Sequence, residues 1–98
     1  MFVTALPEAM DTAASGLAGI GTAVAAGNAA AAPATTGVVP PAAEPASLLL
    51  ALAFATHAGV YQASQAVGSA VHAMFVSTMS ASAGSYAATE GLNAIAMV

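Results

Sequence analysis

LPEAMDTAASGLAGIGTAV, residues Leu6–Val24, is the part of the chain with the most regular spacing of apolar side chains. Successive apolar residues in it are separated alternately by four and three positions, which places them on one face of an α-helix. They are Leu6, Met10, Ala13, Leu17, Ile20 and Val24. A row of this kind is typical of a helix packed along another helix. The segment therefore predicts an all-α fold, with this row as the packing seam of the first helix.

Local signals mark both ends of the first helix. Thr4 is a residue type that caps helices, and Pro7 is tolerated in a first turn because its missing N–H has no intrahelical partner there. Pro33 disfavours the α conformation in the residue before it and is expected to end the helix. These signals place helix 1 at about residues 6–32.

A second helix is expected after an extended connection at residues 33–44, which contains Gly37 and two adjacent prolines. Pro45 fits the first turn of that helix, and no further proline follows through Val98. The sequence predicts helix 2 at about residues 45–82, a helix stop at Gly84 and an irregular tail at residues 85–98. Residues 1–84 are then one antiparallel two-helix hairpin.

Composition predicts that this hairpin needs a partner. The chain has 98 residues, enough for one domain, and alanine occupies 30 of them. Ordering a residue costs about 1.5 kcal/mol, which requires about 60 Å² of apolar burial at ~25 cal/mol per Å². The single methyl group of alanine scarcely supplies that area. We therefore expect the chain to be marginal as a monomer and to be stabilised by a partner, by self-association or by lipid.

Helix 2 carries apolar residues on two faces, more than helix 1 can cover. One face has Val60, Val67, Val71 and Met74. The other has Phe54, Tyr61, Gly68, Phe75 and Met79. Large side chains on a surface of small residues dominate the energy of an interface. The large members of the second face, namely Phe54, Tyr61, Phe75 and Met79, are therefore the predicted anchors for a partner.

Charge excludes several classes of ligand. The chain has no Lys or Arg and a net charge of -4. It cannot neutralise phosphates, so nucleic acids and anionic lipid headgroups are poor partners. It has no cysteine, which excludes disulfides and thiolate metal sites. Its first residues have no basic or apolar run, so a Sec-type signal peptide is not expected there.

No motif indicates catalysis. His57 and His72 are too far apart in sequence, and too isolated from acids, to suggest a metal site. Glu8 and Asp11 suit the first turn of a helix, where acidic side chains are electrostatically favoured. The glycines lack the order of a nucleotide-binding loop, and no Gly-x-Ser-x-Gly motif occurs. The sequence therefore predicts no enzyme, no cofactor and no metal.

Tyr86 and Glu90 are the one aromatic and the one charged residue of the predicted tail, four positions apart. Two interpretations remain open from chemistry alone. The pair is either a recognition signal or two inert surface residues, which are common in proteins.

Several segments occur together along almost the whole chain: Pro7–Glu8, Thr36–Ala43, His57–Gln62, His72–Thr78 and Ser85–Glu90. In combination they resemble the mycobacterial PE family. This resemblance implies a helical hairpin that completes a four-helix bundle with a PPE-family protein. It also implies export through a type VII (ESX) secretion system, with an EspG-type chaperone bound through the PPE partner. The expected location is outside the cell or at its surface, in the cell envelope.

The resemblance also assigns individual residues. Tyr86 and Glu90 occupy the fixed positions of the family's export motif, Tyr-x-x-x-Asp/Glu. Pro7 and Glu8 match the pair that gives the family its name, whose role is mainly structural. No repeat or hydrolase domain follows the tail, so the chain is expected to be the PE module alone.

Two other functions remain as alternatives. Residues 45–89 contain no charged side chain and are long enough to span a bilayer, which would suit a small integral membrane hairpin. Against this, the window Leu48–Val67 contains His57, Gln62 and further polar residues, and no Lys or Arg is present to set orientation. The second alternative is a homodimeric four-helix bundle that uses the same seam.

Overall fold

The computed structural model describes residues 4–97, and within that range it contains two α-helices and no strand. Helix α1 spans Pro7–Thr36 and helix α2 spans Pro45–Ala96, with residues 37–44 between them. The prediction of an all-α helical hairpin is confirmed. Residues 1–3 of the predicted hairpin and residue 98 of the predicted tail lie outside the described range.

Helix α1 continues through Pro33, so the prediction that this proline ends the helix is wrong. A proline removes one backbone donor, and the turn after it still closes here. The N–H of Gly37 donates to the carbonyl of Pro33 over 3.1 Å, and the hydroxyl of Thr36 donates to the carbonyl of Ala32 over 2.7 Å. A Cβ at Gly37 would lie 2.9 Å from that Pro33 oxygen, so the closing turn requires glycine. The connection is therefore shorter than the predicted 33–44.

Helix α2 continues to Ala96, so the predicted stop at Gly84 and the predicted irregular tail are wrong. Glycine usually ends a helix by adopting a left-handed conformation, and no glycine in residues 4–97 has a positive φ. Inside a helix a glycine costs only about 1 kcal/mol relative to alanine. The hydroxyls of Ser82 and Ser85 donate to carbonyls one turn earlier, over 2.9 and 3.1 Å, as part of regular helix on both sides of Gly84.

Glu44 caps the start of α2. Its carboxylate accepts the backbone N–H of Ala46 over 2.9 Å and that of Ser47 over 2.8 Å. The hydroxyl of Ser47 donates to the same carboxylate. These are amides that a helix start leaves without intrahelical partners. The cap lies immediately before Pro45, the first residue of α2, and fixes where the helix begins.

Contacts between the helices fall into two compact units. In the unit that contains residues 4–21 and 71–97, Nε2 of His72 lies 2.7 Å from the carbonyl oxygen of Leu17. In the unit of residues 22–70, the hydroxyl of Tyr61 donates to Oδ1 of Asn28 over 2.9 Å, and Gln62 Nε2 donates to the Asn28 carbonyl over 3.1 Å. The end of α1 therefore contacts the early part of α2 in this second unit, so the two helices run antiparallel there.

The packing seam of α1 is rotated from the predicted row. Leu6 and Ile20 are 70% and 58% exposed, so the prediction that they lie in the seam is wrong. Ala14 is buried instead, and Gly21 is half-buried beside the half-buried Leu17. Small residues let two helix backbones approach closely, and this leaves no room between the helices for the larger side chains.

The hairpin core is made of small side chains. The buried residues in the described range are Ala14, Ser47, Ala51, Ala58 and Ala83. Among residues 4–97 no large side chain is fully buried. Methyl groups of this size supply little burial energy, so the packing between α1 and α2 contributes only modestly to stability.

Candidate functional site

An exposed aromatic row runs along α2. Phe54 and Tyr61 are seven residues apart, and Phe75 follows fourteen residues later. Seven residues make about two helical turns, so the three side chains share one side of the helix. Their side chains are 58%, 49% and 53% exposed. Met79 lies four residues after Phe75, next to it on the same face, but it is half-buried. The structure thus leaves three of the four predicted anchors available to a partner.

The other apolar face of α2 is exposed as well. Val60, Val67, Val71 and Met74 each expose more than half of their surface. The sequence predicts that α1 could not cover both faces. The structure agrees, because α1 packs mainly on the small residues of α2 and leaves large side chains of both faces exposed.

A polar contact positions Tyr61 within this surface. Its hydroxyl is held by Oδ1 of Asn28, whose carbonyl also accepts the side-chain amide of Gln62. The amide nitrogen Nδ2 of Asn28 is buried without a hydrogen-bond partner. Asn28 therefore fixes the Tyr61 ring against α1 while the ring face stays exposed. A sequence pattern gives no warning of this contact, since Asn28 precedes a run of alanines.

A groove of about 410 Å³ lies beside Tyr61, in the unit of residues 22–70. Phe54, His57, Ala58 and Tyr61 form the α2 side of this groove, and the last turns of α1 form the other side. Its walls are mostly apolar, and no residue with a charged carboxylate lines it. Such a groove suits an apolar side chain of a partner better than a polar substrate.

The amount of exposed surface is large for the mass of the chain. The accessible surface is 6999 Å² for 9.3 kDa. A compact monomer of that mass exposes about 5,000 Å².

Tyr86 and Glu90 both lie on α2, which is continuous across them. Positions four apart in a helix are neighbours on one face, and both side chains are exposed. The predicted motif is therefore a helical feature in this structure, and its two side chains point in similar directions.

Pro7 and Glu8 form the first turn of α1. The carbonyl of Leu6 accepts the N–H groups of Ala9 and Met10, and the carbonyl of Glu8 accepts the Thr12 hydroxyl over 2.8 Å. Proline is pre-organised for this position and an acidic side chain is favoured there. This geometry agrees with a structural role for the pair.

Two features were missed by sequence reasoning. Sequence reasoning places Glu44 in the connection, because glutamate is not among the residues that usually cap helices. For His72 the sequence predicts a core or interface histidine, but not the residues that it contacts. Its ring packs on Gly21, since a Cβ added there would lie 2.8 Å from Cδ2 of the ring. No spacing rule predicts that this glycine and this histidine meet.

A family model, described as the PE family, matches residues 3–93. The chain belongs to the PE family. PE family protein PE13 of Mycobacterium tuberculosis (strain ATCC 25618 / H37Rv) is 54% identical over 95 residues, which cover 97% of this chain and 96% of that protein. The resemblance deduced from the motifs is thereby confirmed.

Longer relatives contain a similar segment. PE-PGRS family protein PE_PGRS8 of the same strain is 46% identical over 93 residues, and the matched part is 53% of its length. PE-PGRS family protein PE_PGRS33 of that strain is 45% identical over 93 residues, covering 95% of this chain and 19% of that protein. The chain thus spans about half of the first of these and about a fifth of the second. No solved structure matches.

Proposed function

We propose that this PE chain is a non-enzymatic interaction module that pairs with a PPE-family protein and is exported with it through a type VII (ESX) secretion system. The observation that carries the proposal is that α2 exposes its aromatic row while the hairpin buries mainly alanines. A hairpin whose buried residues are alanines and one serine, while phenylalanine and tyrosine stay about half exposed, gains most of its burial energy from a second protein. Two helices from the partner would complete a four-helix bundle around that row.

The export signal in this proposal is the pair Tyr86 and Glu90. Their four-residue spacing on a continuous helix supports reading by one recognition groove, because both side chains face the same way. An EspG-type chaperone would act through the PPE partner. The mature pair would then reside outside the cell or at its surface.

Co-expression tests the pairing. The chain is co-expressed with tagged PPE-family proteins from the same genome, and the expected result is a soluble 1:1 complex by tag capture and light scattering. Phe75→Ala should cost about 3 kcal/mol or more of pairing energy if its site is fully buried in the complex. Unchanged affinity of this variant would move the interface away from the aromatic row.

Secretion tests the signal. Tyr86→Ala and Glu90→Ala are compared with Leu92→Ala, which removes an exposed apolar side chain from the same helical segment. We expect both motif variants, and not Leu92→Ala, to disappear from the culture filtrate while still co-purifying with the partner from lysate. Normal secretion of both motif variants would refute the signal, and loss of co-purification would assign them a structural role instead.

One observation favours a second candidate, the integral membrane hairpin. Both helices are long and apolar enough to cross a membrane, with mean hydropathy of 1.2 for the best window of α1 and 1.3 for that of α2. Core helices of soluble complexes share this property, and α2 carries Gln62, Gln65 and His72 in positions that a bilayer would disfavour. Sodium carbonate extraction separates the two candidates, because an integral protein stays in the pellet and the proposed pair does not.

A further inference from the structure

The end of α2 that carries Tyr86 and Glu90 is negatively charged. Glu90 is the one charged residue of α2, and it lies six residues before Ala96, where the helix ends. The last turn has no basic residue to balance the partial negative charge at the C-terminal end of a helix. Because the chain has no Lys or Arg, a permanent side-chain counter-charge for Glu90 has to come from another protein.

The polar side chains around Glu90 divide into two sets. The hydroxyls of Ser85 and Thr89 donate to carbonyls one turn earlier in the same helix, over 3.1 and 3.0 Å. Tyr86, Glu90 and Asn93 are instead separated by four and three positions, so they form one exposed stripe along the helix. This stripe presents an aromatic ring, a carboxylate and an amide on the same side of α2.

A guanidinium group binds all three of these chemical groups. Its planar fork of N–H donors pairs with a carboxylate through two parallel hydrogen bonds, and further donors remain for an amide oxygen. It also stacks on aromatic rings. Side chains four residues apart in a helix have Cβ atoms about 5–6 Å from each other. A cation on the Glu90 carboxylate can therefore lie within the ~6 Å over which the face of the Tyr86 ring attracts it.

A hollow of about 400 Å³ beside Glu90 has room for the rest of such a side chain. Glu90 and Asn93 form the polar part of this hollow, and Ala94, Ala96 and Met97 form its apolar part. An arginine side chain has the same two-part chemistry, because its methylene stem packs on apolar surface while its charged head stays with polar groups. The hollow thus favours a long cationic side chain.

We infer that the export machinery reads the signal with a cationic side chain, for which arginine has the matching shape. Its charge lies between the Tyr86 ring and the Glu90 carboxylate, and it donates a hydrogen bond to the amide oxygen of Asn93. This rests on the proposed export function and adds the chemistry of the surface that reads the signal. Asn93 becomes the third residue of that signal, and the spacing of Tyr86 and Glu90 follows from the reach of one cation.

Near-isosteric variants test the charge and the ring separately. Each variant is co-expressed with the PPE-family partner, and its amount in the culture filtrate is compared with wild type. Glu90→Gln keeps the shape of the side chain and removes its charge, so we expect export to fall about tenfold or more as the charge-assisted bonds are lost. Tyr86→Phe keeps the aromatic face and should be exported within about twofold of wild type, whereas Tyr86→Leu should fall as far as Glu90→Gln.

Asn93 and Asp11 complete the set of variants. Asn93→Ala should lower export about threefold or more, because a hydrogen bond to the cation is lost. Asp11→Asn is the matched control, since it removes an exposed carboxylate from α1 and changes the net charge by the same amount as Glu90→Gln. It should be exported at the wild-type level. Co-purification with the partner from lysate verifies that each variant is folded.

The outcomes separate this inference from the export signal on which it rests. Normal export of both Tyr86→Ala and Glu90→Ala would refute the signal itself. If those two variants are lost but Glu90→Gln is exported normally, the signal stands and the cation is overturned. An equal loss of Asp11→Asn would also overturn it, because net charge would then be what matters. Normal export of Asn93→Ala would overturn the third contact.

Discussion

At the scale of single residues, the contact between Gly21 and His72 is a tight one between the helices. The carbonyl of Leu17 can only accept a hydrogen bond, so Nε2 of His72 carries the proton in this contact. The bond holds the imidazole ring against Gly21. The ring cannot move away from a new side chain there without losing its partner.

Gly21→Ala tests this contact. A methyl group at position 21 would lie 2.8 Å from the ring, so we expect the variant to lower the stability of the purified complex by about 1–3 kcal/mol. This loss should occur although alanine favours helix by about 1 kcal/mol. Gly19→Ala is the control, because its site is open and it should be neutral or stabilising. Thermal unfolding of each complex measures the change in stability. A Gly21→Ala complex that melts at the wild-type temperature would contradict the contact.

At the scale of helices, sequence reasoning identified both helices and the start of α2, but it misplaced two of the ends. Pro33 and Gly84 are strong local signals when nothing else is known. Each of these residues weakens only one turn of its helix. The residues that follow are ordinary helix formers, or their side-chain hydroxyls donate hydrogen bonds to carbonyls one turn earlier. A local rule cannot weigh those neighbours, so it predicted ends where the helices continue.

The Glu44 cap gives the start of α2 a dependence on pH. The Ser47 hydroxyl, followed by the N–H groups of Ala46 and Ser47, lowers the pKa of Glu44 from its usual 4.5. The charged cap therefore stabilises the folded state above the unfolded pKa, and this contribution is lost as pH falls through the lower folded value. We expect the Ser47 amide resonance of the complex to titrate with a midpoint below 4.5. Glu44→Gln should abolish that titration, and a midpoint above 4.5 would contradict the cap.

The continuous helix at Tyr86 and Glu90 allows a test that removes neither side chain. One alanine inserted between Ala88 and Thr89 would rotate Glu90 by about 100° relative to Tyr86. If one groove reads both side chains, this insertion should abolish export while pairing persists. An alanine inserted between Gly91 and Leu92 leaves the motif unchanged and should be exported. Secretion of the first variant at the wild-type level would show that the two residues are not read from a single helical face.

At the scale of the whole molecule, composition predicts that the hairpin cannot bury large side chains. Thirty alanines cannot build a core that holds large side chains, and the structure buries only alanine and serine within residues 4–97. What composition could not predict is which side of each helix faces the other. Apolar spacing places large residues such as Ile20 in the seam because it does not distinguish a surface inside the hairpin from one that stays exposed.

The state of the chain by itself follows from this distribution of surface. The buried alanines supply little free energy. Both apolar faces of α2 stay exposed to water, namely the aromatic row and the face that contains Val60, Val67, Val71 and Met74. We expect the chain expressed alone to be aggregated, insoluble or largely unfolded, and the co-expressed pair to be soluble. Sedimentation and calorimetry are the measurements. A monodisperse monomer that melts cooperatively would refute this expectation, and a stable homodimer would favour self-association through the same exposed faces, because only a second apolar surface can remove those side chains from water.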